Sequence, residues 1–158
     1  MHFLVLLLAG LIGAVAGLRA MTAPAAVAWA AMLEWINLDG TWVQWLGNPI
    51  TVTVLTVLAV VELVTDQLPK TPSRKSPVQF VTRLITGGFA GSALGTAWGY
   101  PLGGLGAGLI GAVLGTLMGY ELRRKLSDRV GIDLPVALTE DVVAVLAGFG
   151  IVALTAAL

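Results

Sequence analysis

The chain has 158 residues, of which 57 % are hydrophobic and only 11 % charged, with no net charge at neutral pH. Its mean hydropathy is +0.90, whereas soluble domains average about 45–50 % apolar and about 25 % charged; the composition therefore excludes an ordinary soluble globule and predicts a single all-α integral membrane domain over residues 1–158. With no cysteine and one histidine, His2 at the amino terminus, hydrolytic and redox chemistries have little to work with, so no enzyme activity, metal, cofactor or nucleic-acid partner is expected.

A spanning helix takes about 20 apolar residues at roughly 1.5 Å rise each. In chain order the candidates are Phe3–Leu18, Ala25–Ile36, Pro49–Val64, Val78–Tyr100, Leu102–Tyr120 and Asp141–Leu158. The first has the apolar centre of a signal peptide but no base before Arg19. Its Gly10–Gly17 run recurs almost intact as Gly108–Gly115, and it is read as a retained helix. Between the first two candidates lies Arg19-Ala20-Met21-Thr22-Ala23-Pro24, where Pro24 lacks an N–H and biases Ala23 away from the helical region. Phe3–Ile36 is therefore either a tight hairpin or one crossing broken in mid-membrane, a broken or re-entrant pair in both cases. Asn48-Pro49 and Ser76-Pro77 have the form of an N-cap followed by Pro at N1, and Thr139 before Glu140 and Asp141 has that of an N-cap with acids in the first turn.

Charge placement favours six membrane helices arranged as three hairpins. All nine bases then fall on one side, in or beside the turns after helices one, three and five, and the opposite turns have none. By the positive-inside rule that side is cytoplasmic, which predicts a multi-pass protein of the bacterial inner membrane. A single broken crossing would instead bury Arg19 near the midplane, at a cost unless it is partnered. Trp35, Trp42 and Trp45 fit an aromatic belt on the far face. The three turns resemble one another weakly, as in parallel-repeat transporters.

Glycines recur every four residues: Gly87, Gly91, Gly95 and Gly99 in one helix, Gly111, Gly115 and Gly119 in the next, and Gly13 and Gly17 in the first. Such zippers mark close backbone packing, either between neighbouring helices or along a homo-oligomer seam.

The charged residues concentrate in one place. Glu62 and Asp66 share a face of the third helix near its C-terminus, where the dipole disfavours anions. Arg83 lies in the opening turns of the fourth, where it disfavours cations. Each placement is locally unfavourable, which suggests that they compensate each other; Glu121, with Arg123 and Arg124 beside it, repeats the pattern. These acids act either as static clamps or as part of an ion path, with Arg19 or Arg83 as counter-charge. The turn carrying Lys70, Thr71, Ser73 and Arg74 has the chemistry to contact an anionic lipid headgroup or a phosphate, or simply to sit in solvent and set topology.

Gly17-Leu18-Arg19-Ala20-Met21-Thr22-Ala23-Pro24-Ala25, together with Glu62-Leu63, Asp66 and Pro69-Lys70-Thr71-Pro72-Ser73-Arg74, resembles an uncharacterised family of small bacterial membrane proteins known as domain of unknown function 4126. The resemblance covers nearly the whole chain. It implies a helical membrane fold and marks both segments as a site, but implies no activity. The leading expectation is a homo-oligomeric inner-membrane transporter or channel for an ion or small solute. Arg19, Thr22, Pro24, Glu62, Asp66 and Arg83 would form its path, Gly87, Gly91, Gly95, Gly111 and Gly115 would pack its helices, and the lipid bilayer would be its partner. The alternative is a non-catalytic scaffold that holds lipid, isoprenoid or a partner helix on its glycine stripes.

Overall fold

The computed structural model describes residues 1–68 and 76–158. Lys70, Thr71, Ser73 and Arg74, the expected headgroup contacts, lie outside the described residues. Among those described there are six α-helices and no strand: α1 (His2–Leu18), α2 (Thr22–Met32), α3 (Pro49–Thr65), α4 (Pro77–Thr96), α5 (Pro101–Val130) and α6 (Asp133–Thr155), with a 3₁₀ turn at Gln44–Gly47. The chain is thus all-helical, as the sequence predicts. Two of the helices, α5 and α6, are long and apolar enough to cross a membrane; only 33 % of the apolar window of each is buried, unlike the core helix of a soluble protein.

Local chemistry explains most of the boundaries. Asn48 caps α3 by accepting from the Ile50 N–H at 2.9 Å, and proline opens α3, α4 and α5, where its missing N–H is not needed. Ser76 occupies the cap position of α4 without a side-chain cap bond.

Three boundaries differ from the sequence reading. The polar stretch after Tyr120 is not a turn: α5 continues to Val130, because Glu121–Lys125 are good helix formers, and Gly131 then ends it in the left-handed region at φ 76°. Helix α6 starts at Asp133 rather than Asp141, with Pro135 tolerated in its first turn. Thr139 is consequently an interior residue, its hydroxyl donating to the Pro135 carbonyl at 2.8 Å, and not an N-cap. Helix α2 begins at Thr22, with Pro24 inside its first turn, and spans only 11 residues, about 16 Å.

Packing follows the glycines. Helix α4 runs antiparallel to α5, with Gly87 and Gly91 against Gly108 and Gly104, and Gly95 against Tyr100. Helix α1 runs parallel to α5, with Gly111 on the Gly10 carbonyl, Gly115 on Ala14, and Gly17 on the turn from Ala112 to Thr116. At most of these positions an added Cβ would collide with backbone. The two faces of α5 therefore hold α4 and α1, and this triad is the centre of the molecule. Helix α2 turns back beside α3, with the Trp29 indole donating to the Thr56 hydroxyl at 2.9 Å, while α6 lies along α1 with Gly148 near Val15 and Thr22.

Residues 3–36 therefore form a hairpin about Arg19–Met21, not one broken crossing. Consecutive helices are antiparallel, but of these pairs only α4 and α5 pack tightly; the other close contacts join α1 to α5 and to α4. At the end away from Arg19, Trp42 and Trp45 are half-exposed and pack on Phe89, and His2 meets Tyr100 edge to face with ring centroids 4.5 Å apart.

These contacts separate the glycines into two classes. Gly111→Ala places a methyl into the Gly10 backbone and is expected to cost about 1–3 kcal/mol by overpacking. Gly106→Ala and Gly150→Ala face open space and are expected to raise stability by up to about 1 kcal/mol through helix propensity. Thermal unfolding in detergent distinguishes the two classes by the sign of the change in Tm.

Candidate functional site

A hairpin between α1 and α2 creates a local problem. The last carbonyls of α1 and the first N–H groups of α2 lack intrahelical partners, and both ends open into the interior of the bundle. The chain satisfies the two ends with charges of opposite sign. At the C-terminus of α1, Arg19 Nη1 donates to the Leu18 carbonyl at 3.0 Å and Arg83 Nη1, from α4, donates to the Gly17 carbonyl at 2.7 Å. In the turn that leads into α2, both oxygens of Glu62 accept backbone N–H groups, from Ala20 and from the N-cap residue Met21, each at 2.7 Å. Each charge meets the helix end whose partial charge opposes it.

The arginines are themselves held by carboxylates. Arg19, 0 % exposed, donates through Nε to Asp141 Oδ1, touches the same carboxylate with Nη2, and pairs through Nη1 with Asp66 at 3.1 Å. Asp66 also lies 3.8 Å from Arg83 Nη2, which joins α3 to α1 and α4. Gln67 donates its side-chain amide to the second oxygen of Asp141. Glu140 is 3.9 Å from Arg19 and 3.7 Å from Arg123, and Arg123 makes a two-bond fork to Asp133 at 3.1 and 2.6 Å. The ions thus form one connected network from the helix break to the polar tip of the α5–α6 hairpin.

Of the residues expected on a path, Arg19, Glu62, Asp66 and Arg83 come together here, and Thr22 and Pro24 form the adjoining first turn of α2. Of the two acids expected to compensate Arg83, Asp66 lies 3.8 Å from it, while Glu62 is bonded to the Ala20 and Met21 N–H groups of the α1–α2 turn. Gly87, Gly91, Gly95, Gly111 and Gly115 are engaged inside the bundle rather than exposed for a partner. Asp141, Glu140 and Gln67 were not foreseen. Asp141 reads as a first-turn acid only if α6 begins there; inside the helix it is an ionisable residue in an apolar run, which itself signals a site. Glu121 pairs with Arg124 at 2.9 Å on the exposed surface.

Beyond this network, a groove of about 370 Å³ opens between α5 and α6, lined by Leu18, Leu122, Leu126, Val136 and Val143 with Arg123 and Glu140 at its polar end. Among the described residues no group of His, Cys, Asp or Glu has a metal-binding arrangement.

The geometry gives Arg19 a role that lysine cannot fill, because its planar fork reaches two carboxylates and a carbonyl in different directions. Arg19→Lys is expected to lower stability by about 3–5 kcal/mol, the range for breaking a buried pair. Arg124→Lys, in an exposed pair, is expected to change it by less than about 0.5 kcal/mol. Denaturant unfolding of the two variants beside the parent measures the contrast.

No curated protein and no solved structure matches this chain. A family model described as a domain of unknown function matches residues 6–152. That span takes in the helix break, the acids of α3 and α6 and all three helices of the glycine core. The chain is a member of the family designated domain of unknown function 4126.

Proposed function

We propose that the protein is a small multi-pass transporter or channel of the bacterial inner membrane, assembled as a homo-oligomer, that moves an ion or small solute past the helix break. The observation that carries this reading is a wholly buried arginine, Arg19, at the turn between α1 and α2, met by carboxylates from two other helices. Ionisable groups and broken helices inside an apolar bundle are the usual marks of a solute path. Glu62 and Asp66 are its charge-handling residues, Arg19 and Arg83 its counter-charges, and the first turn of α2, Thr22 to Pro24, its solute-facing element.

The outer surface supports the membrane setting. Val54, Val57, Val61 and Val64 on α3, Ile110 and Leu114 on α5, and Val142 and Leu146 on α6 are all exposed. Apolar patches on this scale are rare on soluble monomers. Helix α3 buries only Val52 and Ala59, so it has a broad apolar side for lipid or for another subunit. A second reading, a scaffold that holds lipid, draws on the α5–α6 groove, which has the apolar lining and few polar groups of a ligand pocket. The glycine stripes do not serve that role, being filled from within.

Flux from proteoliposomes tests the lead reading. Under proton, sodium, potassium, chloride or phosphate gradients the parent is expected to carry at least one, and Asp66→Asn to reduce that flux at least ten-fold while its helical content and oligomer persist. A folded parent that passes none of them contradicts transport. Tightly co-purifying lipid in that preparation would favour the scaffold.

A further inference from the structure

The way Glu62 is bound points to the chemistry of the solute, an inference that rests on the transport reading above. Glu62 makes no ion pair within the described residues; what it has instead is the backbone N–H groups of Ala20 and Met21, one on each oxygen at 2.7 Å. Two parallel N–H bonds at the positive end of a helix are how proteins hold a free oxyanion. The neighbouring charges agree: Arg19 continues the chain into these two residues, and Arg83 is bonded to Gly17 two positions before it.

A second observation is independent of the helix terminus. Thr22, the first residue of α2, is only 3 % exposed, yet its hydroxyl has no hydrogen-bond partner. Its methyl group is the part that faces Gly148 of α6. A buried hydroxyl is seldom left unpaired, because the loss costs free energy. Nothing in the packing of α2 uses this one, and it belongs to the residue that directly follows the two N–H groups of Ala20 and Met21.

We infer that the N-terminus of α2 is an anion site, that the carboxylate of Glu62 is its tethered occupant in this structure, and that the solute is a small monovalent oxyanion of carboxylate-like geometry. The solute takes the Ala20 and Met21 N–H groups when Glu62 swings away, and Thr22 supplies a third donor that Glu62 leaves unused. Half-helix N-termini aimed at anionic groups serve this purpose in broken-helix transporters. Glu62 then acts as a gate, since the site holds either its own carboxylate or the solute's, and the competition keeps the passage closed to weakly held ions.

The test is a binding measurement that does not depend on flux. Glu62→Ala is purified in detergent and its thermal unfolding followed against formate and nitrate, with gluconate replacing them at constant ionic strength. The expected result is a saturable rise in Tm of about 5 °C with formate or nitrate, none with gluconate, and a half-saturating concentration at least ten-fold higher in the parent, whose own carboxylate must be displaced. Adding Thr22→Val to Glu62→Ala is expected to weaken binding about ten-fold. If Glu62→Ala folds only when formate is present, that also supports the site; if it does not fold at all, Glu62→Gln takes its place with the same expectations. The inference is overturned if a folded variant shows no anion-specific rise, if Thr22→Val leaves binding unchanged, or if only phosphatidylglycerol nanodiscs raise the Tm, which would assign the site to a lipid headgroup. Binding without flux would refute transport and leave the anion site standing; flux without binding would do the reverse.

Discussion

Two helix ends meet inside an apolar bundle, and the rest of the charged architecture follows from satisfying them. Unpaired carbonyls and N–H groups away from water cost several kcal/mol each, so a hairpin turn at Arg19–Met21 requires partners. Arg19 and Arg83 supply them for α1, and Glu62 for α2. Desolvated arginines then require carboxylates, which come from α3 as Asp66 and from α6 as Asp141. One turn between two helices thereby recruits residues from α3, α4 and α6, which explains why these elements converge at the same end of the molecule.

The glycine triad makes this convergence possible. Helices α1, α4 and α5 approach until backbone touches backbone, and at that separation no side chain fits between them. The C-terminus of α1 is thereby fixed next to Arg83 of α4 and Thr116 of α5, whose hydroxyl bonds within its own turn to the Ala112 carbonyl at 2.7 Å. Van der Waals packing of small residues supplies the rigidity, and the ion network sits at its edge. Helices α3 and α6 lie outside this triad, whereas α2 packs into the core through Ala23, Ala26, Val27 and Ala30, each 0 % exposed.

Much of this was legible in the sequence. The apolar runs, the prolines at helix starts and the four-residue glycine spacing define the helices and their close faces, because each is a local property with a fixed period. The convergence of Glu62, Asp66 and Arg83 was legible too, through charges that disagree with their own helix dipoles, and Arg19 was expected beside them as a counter-charge. The partner of Glu62 was not, since the backbone N–H groups of Ala20 and Met21 carry no sequence signature. Asp141 was hidden by the charged segment before it: Glu121–Val130 looks like a turn by polarity and is a helix by propensity, and the misplaced start of α6 turned an interior acid into a capping one. The pairing of α1 with α5 rather than α2 depends on which glycine rows meet in space, which spacing alone does not specify.

The most direct test of the charge network is a double-mutant cycle on Arg19 and Asp141, using Arg19→Met, Asp141→Leu and the pair together, with unfolding followed in detergent. If α1, α3 and α6 are tied through Arg19, each single change is strongly destabilising and the pair recovers part of the loss, with a coupling energy of about 1.5–3 kcal/mol. Additive changes, with coupling below about 0.3 kcal/mol, would mean that the two residues are neighbours without dependence, and would contradict a fold organised around the helix break.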